Sequence, residues 1–478
     1  MKSESTSKLT KRAAATSGKQ LSYGEVVEFL DTHWDASKGD PSLTAIKQLD
    51  KALGTVSKKL DTVFIRGTNG KSLTAHFAAR LLKEEGLAVG VLQSPHSLAY
   101  NERFTLNGEL MPNRVFTEIG NRVINTAQTL SIKANSLDML TMMAMLYFSD
   151  NSVDLALMEI GSKDTNHPAS ICTPKITAIT RVTDDEAIQG NRADEACIRS
   201  YMTDIKPGMY VVSADQGKLN LQVMQAVAEE QGGTWVMPIR KLAPLAYPFE
   251  QLHGRCAALA ERIAHIYVNS FASKDAIIVD NSLLTKKKGQ RGRPTLEAKR
   301  QAELHPQRTL EQFWKETTSA LPNRFQLLDK EKPSVLLDNA SDLDSFQNLL
   351  LGVRLLHYQR PLKGLTLIVG NNNPNLNMTE LLKLLRYFFR KTSGSIIICP
   401  AKPSPCNKGG VSWDVEKVAN EIRNMKIKTL PKKDLKEAFE AARKTVDERH
   451  GLVVITGSSE IVADYWHYKG MKKAIAAS

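Results

Sequence analysis

Short apolar runs alternate with amphipathic segments from about residue 24 to residue 270, and the alternation resumes near residue 322. Apolar runs bounded by polar turns are typical of buried strands, and the helical periodicity between them predicts crossover helices. This order favours an α/β fold, in which a doubly wound, mainly parallel sheet is followed by a smaller α/β unit. The predicted strands are 62–66, 88–92, 153–159, 176–180 and 209–213 in the first part and 335–338, 365–369, 395–399 and 452–456 in the second.

Two stretches lack this alternation. Residues 1–22 are basic and rich in Ser and Thr, and we interpret them as a disordered tail, with an organelle transit segment as the alternative. Residues 276–320 carry many positive charges and little core-forming pattern, which indicates a basic linker with an insertion. The predicted α/β units are therefore 23–275 and 321–478. In the first unit, the Met-rich stretch 136–148 has helical periodicity and predicts a buried helix beside the sheet.

The run from Thr62 to Thr74 carries the strongest chemical signal. A buried strand enters a turn with two glycines that ends in Lys71 and Ser72, and an amphipathic helix follows. Glycines let backbone N–H groups converge on phosphate oxygens, the lysine adds a positive charge, and the serine hydroxyl suits magnesium. The pattern predicts phosphate binding, with an ordinary strand-to-helix turn as the alternative, by Gly67, Thr68, Asn69, Gly70, Lys71 and Ser72.

The sequence GTNGKS in this loop resembles the Mur-ligase superfamily of ATP-dependent ligases. A longer and more specific match starts at Ser94-Pro95-His96 and runs through Asn101-Glu102-Arg103 to Asn107-Gly108. It resembles the folylpolyglutamate synthase and dihydrofolate synthase family. The resemblance covers roughly residues 24–470 as ordered segments, and its further matching segments are 153–161, 205–216, 323–325, 335–342 and 453–462.

The resemblance implies an enzyme of folate biosynthesis and one-carbon metabolism, an ADP-forming carboxylate–amine ligase. Members of this family use ATP and Mg²⁺ to activate a folate or pteroate carboxylate as an acyl phosphate, which L-glutamate then captures. For this chain the resemblance implies a Mur-ligase-like fold, with an ATP-binding P-loop domain of the Mur-ligase central type at 23–275. It also implies a Rossmann-like, glutamate-ligase-type domain at 321–478, and a cleft between the two.

The roles that the resemblance carries over fall on a small set of residues. Lys71 is expected to hold the ATP phosphates and to act in catalysis, and Arg324 is expected to reach the same phosphates from the second domain. Asp338 follows the second unit's first predicted strand, and the resemblance places it beside the incoming glutamate as a catalytic residue. The magnesium ligands implied by the resemblance are Ser72, Ser94, Glu159 and Asp185.

Several positions depart from the family pattern around this site. Where the family has a metal-binding histidine, this chain has Asp185, whose carboxylate is also a suitable oxygen ligand and a catalytic candidate. Tyr201 falls on the position of a carbamylated lysine and cannot form that group. The adenine-packing element falls on 256–261 without its polar side chains, Ser341 replaces a histidine, and a glycine-rich segment is shortened to 159–166.

Two hypotheses follow from this mixture. The retained phosphate loop, Glu159 and Arg324 favour an active ligase rebuilt around Asp184 and Asp185. The replaced side chains favour a catalytically degenerate member, kept as a nucleotide-binding scaffold or as an interaction module for protein or nucleic acid, because fold alone does not fix function. We favour the ligase, since the retained loop has a specific geometry.

Composition adds charge to this picture. The 478 residues carry a net charge of +13, which would attract ATP and polyanionic folates. Residues 286–294 contain an RGRP core that resembles an AT-hook, so nucleic-acid binding is one candidate, although a solvated basic loop is our preferred interpretation. Cysteines without CxxC spacing, together with the lack of a secretory signal or a bilayer-length apolar run, favour a cytoplasmic protein.

Overall fold

Two β-sheets, each with helices on both faces, make up the chain. The computed structural model describes residues 19–34, 43–161, 166–184, 193–239, 241–273, 282–284, 308–317, 321–405 and 410–471. The first sheet is built from strands between residues 62 and 235, and the second from strands between residues 326 and 456. Each sheet therefore comes from one continuous half of the sequence, as the alternating pattern indicates.

The first sheet has eight strands in the order β4-β3-β2-β5-β1-β6-β7-β8. All neighbouring strands are parallel except β2–β3 and β3–β4, which are antiparallel. The strands are β1 (Thr62–Arg66), β2 (Val89–Leu92), β3 (Phe104–Leu106), β4 (Glu109–Leu110), β5 (Leu155–Glu159), β6 (Ile176–Ile179), β7 (Tyr210–Ser213) and β8 (Thr234–Trp235).

Helices cover both faces of this sheet, so its central strands are buried on two sides and read as continuous apolar runs. One face packs on α1, α2, α4 and α5, whereas the other packs chiefly on α3 and α8. The helices are α1 (Tyr23–Thr32), α2 (Thr44–Ala52), α3 (Lys71–Glu84), α4 (Asn113–Thr129), α5 (Ser136–Asp150), α6 (Glu195–Ser200), α7 (Lys218–Glu230) and α8 (Phe249–Ser270).

The second sheet has six strands in the order β13-β12-β11-β14-β10-β9, and only the β9 edge strand is antiparallel to its neighbour. The strands are β9 (Gln326–Leu328), β10 (Ser334–Leu337), β11 (Leu365–Val369), β12 (Ser395–Ile398), β13 (Lys428–Pro431) and β14 (Leu452–Thr456). The remaining helices are α9 (Leu310–Glu316), α10 (Leu343–Gln359), α11 (Met378–Phe389), α12 (Val415–Asn424), α13 (Leu435–Arg443) and α14 (Ser459–Tyr468).

The predicted fold class is confirmed, and each of the nine predicted strands has a counterpart that differs by at most two residues at an end. The Met-rich stretch is α5, most of whose side chains are buried. The apolar pattern missed the short or half-exposed strands, namely β3, β4, β8, β9 and β13. In β3 only Phe104 is buried and in β4 no residue is, so no alternation marks these strands. The hairpin depends on Asn107 and Gly108, which both have positive φ.

The interpretation of 276–320 as a basic linker needs correction at its C-terminal end. There α9 forms, and Phe313 and Trp314 are almost fully buried in the core of the first sheet. The Trp314 ring packs edge-on against Phe77, and its Nε1 donates to the Glu261 carboxylate at 3.0 Å. The segment therefore joins the first unit's core, because two large aromatic side chains outweigh the surrounding charges.

Several predictions concern residues outside the described ranges. These are most of the tail 1–22, the RGRP-containing segment 286–294, and Asp185. The part of 159–166 between Ser162 and Thr165 is also outside them. Among the described helices, none is both long and apolar enough to cross a membrane.

Candidate functional site

The strand-to-helix loop at residues 67–70 has the backbone that the sequence predicts. Gly67 has φ of 125° and Gly70 has φ of 88°, values that residues other than glycine rarely adopt. A Cβ at Gly67 would collide with Thr180 and the Arg181 carbonyl, and one at Gly70 would lie 2.8 Å from the Cys256 sulfur. Both glycines are therefore required by conformation and by close packing.

This loop is open to a ligand because no side chain caps the N-terminus of α3. Uncapped N–H groups and the helix dipole make such an end a favourable position for an anion. Lys71 is the first residue of α3, and its ammonium group donates to the carbonyls of Gly67 at 2.9 Å and Thr68 at 3.0 Å. The Lys71 ammonium group thus lies over the loop, within reach of a phosphate bound there.

Three of the four residues expected to hold magnesium meet beside the loop. Strand register sets Glu159 opposite Ile65, so the carboxyl ends of β5 and β1 are neighbours. The Ser72 hydroxyl donates to Glu159 Oε2 at 2.9 Å, and the Ser94 backbone N–H lies 3.4 Å from the same oxygen. Arg324 Nη2, from the chain preceding β9, donates to the Ser72 hydroxyl at 3.3 Å.

The segment around Ser94 owes its shape to buried polar contacts. Arg103 is almost fully buried and donates to the Ser94 hydroxyl and to His96 Nδ1, both at 2.9 Å. Burial and the Arg103 charge hold the pKa of His96 well below its usual value, so its ring is neutral. The Glu102 carboxylate accepts backbone N–H groups from residues 97, 98 and 99. These side chains fix the loop that carries Ser94.

Asp338 lies at the end of β10, on the opposite side of the cleft. Its two oxygens accept the backbone N–H groups of Phe325 at 2.8 Å and Ala340 at 2.9 Å. Burial raises the pKa of Asp338 to about 6, against the opposing effects of these N–H groups and of Arg324. The side chain is therefore ionised at neutral pH and is a much stronger base than an ordinary aspartate.

A cleft of about 1010 Å³ lies between the carboxyl ends of the two sheets. We call the loop 67–72 together with Glu159 the phosphate wall, and residues 338–344 the acidic wall. Both walls line the cleft, and so do Ser94 and Arg324. The volume is at the upper end of the range for small-molecule sites and is large enough for a nucleotide and a second substrate.

Direct contacts between the two walls were not predicted from the sequence. The Asn69 side-chain amide donates to Asp342 at 2.9 Å and to Asp344 at 3.2 Å, and Arg181 forms an ion pair with Asp344 at 2.9 Å. The only sequence signal was that Asp342 precedes an apolar periodic stretch, where it caps α10. Its position opposite Asn69 depends on how the two sheets pack.

The departures from the family pattern also line this cleft. Tyr201 is fully buried, and Cys256 lies under Gly70, where burial raises the pKa of its thiol to about 11. Asp184 lines the cleft as well, whereas Asp185 falls outside the described ranges. The Cys256 thiol, with its raised pKa, is therefore protonated at neutral pH and packs as a small apolar group.

The oxygen donors of the phosphate wall fit a magnesium ion. Ser72 and Glu159 offer a hydroxyl and a carboxylate, which are the hard ligands that Mg²⁺ prefers. Within the described ranges, no group of three or more His, Cys, Asp or Glu side chains is arranged so that it could hold a metal ion. This donor set suits an ion that is held by one carboxylate, by water and by substrate phosphates, as is usual for Mg²⁺.

Comparison with known proteins identifies relatives. The chain is 29% identical over 227 residues to the dihydrofolate synthase/folylpolyglutamate synthase of Bacillus subtilis, a match that covers 46% of this chain and 49% of that protein. It is 26% identical over 375 residues to the mitochondrial folylpolyglutamate synthase of Bos taurus, covering 73% of this chain and 62% of that protein. The chain thus spans about half the length of the first of these relatives. No protein-family model matches the chain.

Solved structures of the same family share the fold. The Mycobacterium tuberculosis folylpolyglutamate synthase complexed with ADP superposes with a TM-score of 0.73 at 17% identity, over 95% of this chain and 99% of that chain. The bifunctional folylpolyglutamate synthase/dihydrofolate synthase of Yersinia pestis, complexed with AMPPNP and manganese, has a TM-score of 0.70 at 18% identity, over 95% and 100%. Sequence and fold together confirm that this chain is related to the folylpolyglutamate synthase and dihydrofolate synthase family.

Proposed function

We propose that this protein is an ATP-dependent ligase that joins L-glutamate to the carboxylate of a folate or pteroate through an acyl phosphate. The observation that supports the proposal most directly is the shared network of Ser72, Glu159 and Arg324 at the edge of an uncapped glycine loop. Relatives named for this activity, and neighbours solved with ADP or with AMPPNP and manganese, support the same chemistry.

In this proposal the unit 23–275 binds ATP. The N–H groups of the phosphate loop and the Lys71 ammonium hold the β- and γ-phosphates, and the contacts of Lys71 with loop carbonyls are exchanged for phosphate oxygens. Ser72 and Glu159, with Ser94 and Asp185 as the other proposed ligands, would hold Mg²⁺, which neutralises charge on the transferring phosphoryl group. Arg324 reaches the same place from the second unit.

The first step forms a bond between an acceptor carboxylate oxygen and the γ-phosphorus and breaks the bond from that phosphorus to the ADP oxygen. In the second step the glutamate amine attacks the acyl carbon, phosphate leaves, and the nitrogen loses a proton. Asp338, in the unit 321–478, faces the cleft and has a raised pKa, so we assign it to hold the amine and to accept that proton.

The experiment is ADP release by purified protein with Mg-ATP, L-glutamate and either tetrahydrofolate or dihydropteroate. We expect release that needs both substrates and that falls at least about a hundredfold in Lys71→Ala. The matched control is Lys436→Ala, since Lys436 is exposed on α13 in the second unit. Thermal stabilisation by Mg-ATP without turnover on either acceptor would contradict the ligase and support the catalytically degenerate alternative.

Two further parts of the proposal concern context. The proposed substrates are small molecules, and the proposed location of the protein is the cytoplasm. Nucleic-acid binding through 286–294 concerns residues outside the described ranges. Salt-dependent DNA or RNA binding that is lost on deleting residues 285–300 would establish that second activity.

A further inference from the structure

Charge is distributed very unevenly along the second unit. Residues 345–413 contain nine Lys and Arg residues but a single acidic residue, Glu380. In the whole chain, by contrast, 64 Lys and Arg stand against 51 Asp and Glu, so this stretch is a strong local excess of positive charge. Such an excess on folded elements produces a surface field that attracts anions. A polyanion is therefore the expected counterpart of this part of the surface.

The two helices of this stretch, α10 and α11, pack side by side on one face of the second sheet. Their inner sides are buried in the core, as Phe346 and Phe388 show. On the outer sides, the side chain of Tyr358 is 87% exposed and that of Tyr387 is 54% exposed. Two aromatic rings on neighbouring helices are thus available to a partner.

Cations flank both rings. The Lys391 ammonium lies 4.8 Å from the centre of the Tyr387 ring and donates to the Tyr387 hydroxyl at 3.1 Å. That hydrogen bond and charge, followed by the charge of Arg354 on α10, hold the pKa of Tyr387 below its ordinary value. Arg354 and Tyr358 are four residues apart on α10 and are therefore neighbours on its surface. The rings and cations of the two helices thus form one continuous surface.

The protein leaves most of these cations without an anionic partner. Glu380 forms an ion pair with Lys383 at 2.7 Å. Among the described residues, no carboxylate forms an ion pair with Arg386, Arg390 or Lys391, and all three are exposed. We call this surface the basic aromatic face, and it consists of Arg354, Tyr358, Arg386, Tyr387, Arg390 and Lys391.

We propose that the basic aromatic face binds single-stranded nucleic acid. Its guanidinium and ammonium groups would pair with phosphates, and the rings of Tyr358 and Tyr387 would stack on bases. The inference goes beyond the proposed function and does not depend on it, because none of the residues of this face, all of them described, lines the cleft. The face is also separate in sequence from the basic segment 286–294.

The two tyrosines decide which polyanion fits. An acidic peptide uses only the cations, whereas every nucleic-acid base has a flat π face that can stack on a tyrosine ring. In a duplex the bases already stack on one another, so the rings gain no such contact. The basic aromatic face therefore predicts tighter binding of a single strand than of a duplex or of polyglutamate, with little dependence on base sequence.

The test is fluorescence anisotropy of the full-length protein with a labelled oligothymidylate of about twelve nucleotides. For the unaltered protein we expect saturable binding, with a lower Kd than for a duplex of the same length or for polyglutamate of the same charge. In Tyr358→Ala/Tyr387→Ala we expect the Kd to rise at least about tenfold, because two stacking rings are lost. Tyr358→Phe/Tyr387→Phe keeps both rings and should keep most of the affinity.

The contribution of charge is measured separately, by titration at several salt concentrations. Arg386→Gln/Arg390→Gln removes two phosphate contacts, so the slope of log affinity against log salt concentration should become less steep by about 1.4. The double tyrosine variant should leave this slope unchanged. The matched control is Lys436→Gln/Lys444→Gln, which removes two exposed cations on the other face of the second sheet and should change neither the Kd nor the slope.

The substituted side chains are exposed or half-exposed, and thermal unfolding of each variant verifies its fold. Substrate-dependent ADP release should be the same in the tyrosine variant and in the unaltered protein, and its failure in both would leave the binding test intact. An unchanged Kd in the tyrosine variant, or equal affinity for single strand, duplex and polyglutamate, would overturn the proposal. Binding that is lost on deleting residues 285–300 but kept in both variants of the face would overturn it as well.

Loss of binding in the variants of the face, with the matched control unaffected, would establish it.

Discussion

The two walls of the cleft both follow a buried parallel strand, yet they are built in opposite ways. After β1, the glycine loop leaves the N-terminus of α3 uncapped, with Lys71 beside it. After β10, the Asp338 carboxylate accepts the backbone N–H groups of Phe325 and Ala340, and the side chain of Asp342 caps the N-terminus of α10. The phosphate wall therefore offers the uncapped N-terminus of α3 to an anion, whereas the acidic wall caps its own helix and presents negative charge to the cleft.

The difference teaches how one cleft can hold two unlike substrates. A polyphosphate is attracted to free N–H groups and cations, whereas an ammonium group is attracted to carboxylates. The Asn69 amide donates to Asp342 and Asp344, and Arg181, next to the phosphate wall, forms an ion pair with Asp344, so these contacts bridge the cleft. Substrates would replace these contacts.

Glu159→Gln is the strongest way to break the phosphate wall. The substitution keeps the shape of the side chain but removes the carboxylate that accepts the Ser72 hydroxyl and that is proposed to hold magnesium. We expect substrate-dependent ADP release to fall about a hundredfold to a thousandfold. The matched control is Glu416→Gln, an exposed position on α12. Equal activity in both variants would remove Glu159 from the proposed site.

Trp314→Ala tests whether α9 belongs to the unit that carries the phosphate wall. Removing this buried ring leaves a cavity beside Phe77, and we expect a loss of about 3–5 kcal/mol in the free energy of unfolding. Denaturant unfolding measures it, and Trp413→Ala, at a half-buried position in the second unit, is the comparison. A decrease of less than about 1 kcal/mol in the free energy of unfolding would indicate that α9 is a linker and not part of this unit's core.

Asp338 gives the acidic wall a pH signature. If its carboxylate form is active, activity should rise with pH through a midpoint of about 6, and Asp338→Asn should remove that limb of the profile.

Stability should show the opposite sign. The folded-state pKa is raised, so this group's stabilising contribution is full below about pH 4 and is lost as pH rises through about 6. Unfolding free energies measured at pH 4 and pH 7 should therefore differ less in Asp338→Asn than in the unaltered protein. If the activity of Asp338→Asn still rises with pH through a midpoint near 6, the group that titrates there is not Asp338.

Asp344→Asn sharpens the comparison with the smallest expected effect. The substitution removes a negative charge that faces the phosphate wall and that pairs with Asn69 and Arg181. We expect the Kd for Mg-ATP to fall about twofold to fivefold, less so at high salt. Calorimetry at two ionic strengths measures this, with Glu416→Gln as the control. Weaker ATP binding in the variant would show that Asp344 supports the site.

The sequence by itself determined nine of the fourteen strands, the phosphate loop and most of the fold. Short runs rich in β-branched and apolar residues, such as β1 and β14, favour buried strands, and glycines in the turn before an amphipathic helix allow the positive φ values that the loop adopts. Local backbone physics therefore fixed residues 67–72, and the family motifs supplied Glu159 and Arg324 as candidates.

Only the tertiary structure decided which residues face each other. Strand register brought Glu159 to Ser72, and packing of the two sheets brought Asp344 to Arg181 and to Asn69. Burial raised the pKa of Asp338. Trp314, from a segment that appears polar in sequence, is buried in the core of the first sheet. Such contacts depend on chain segments far apart in sequence, so no local pattern of residues specifies them.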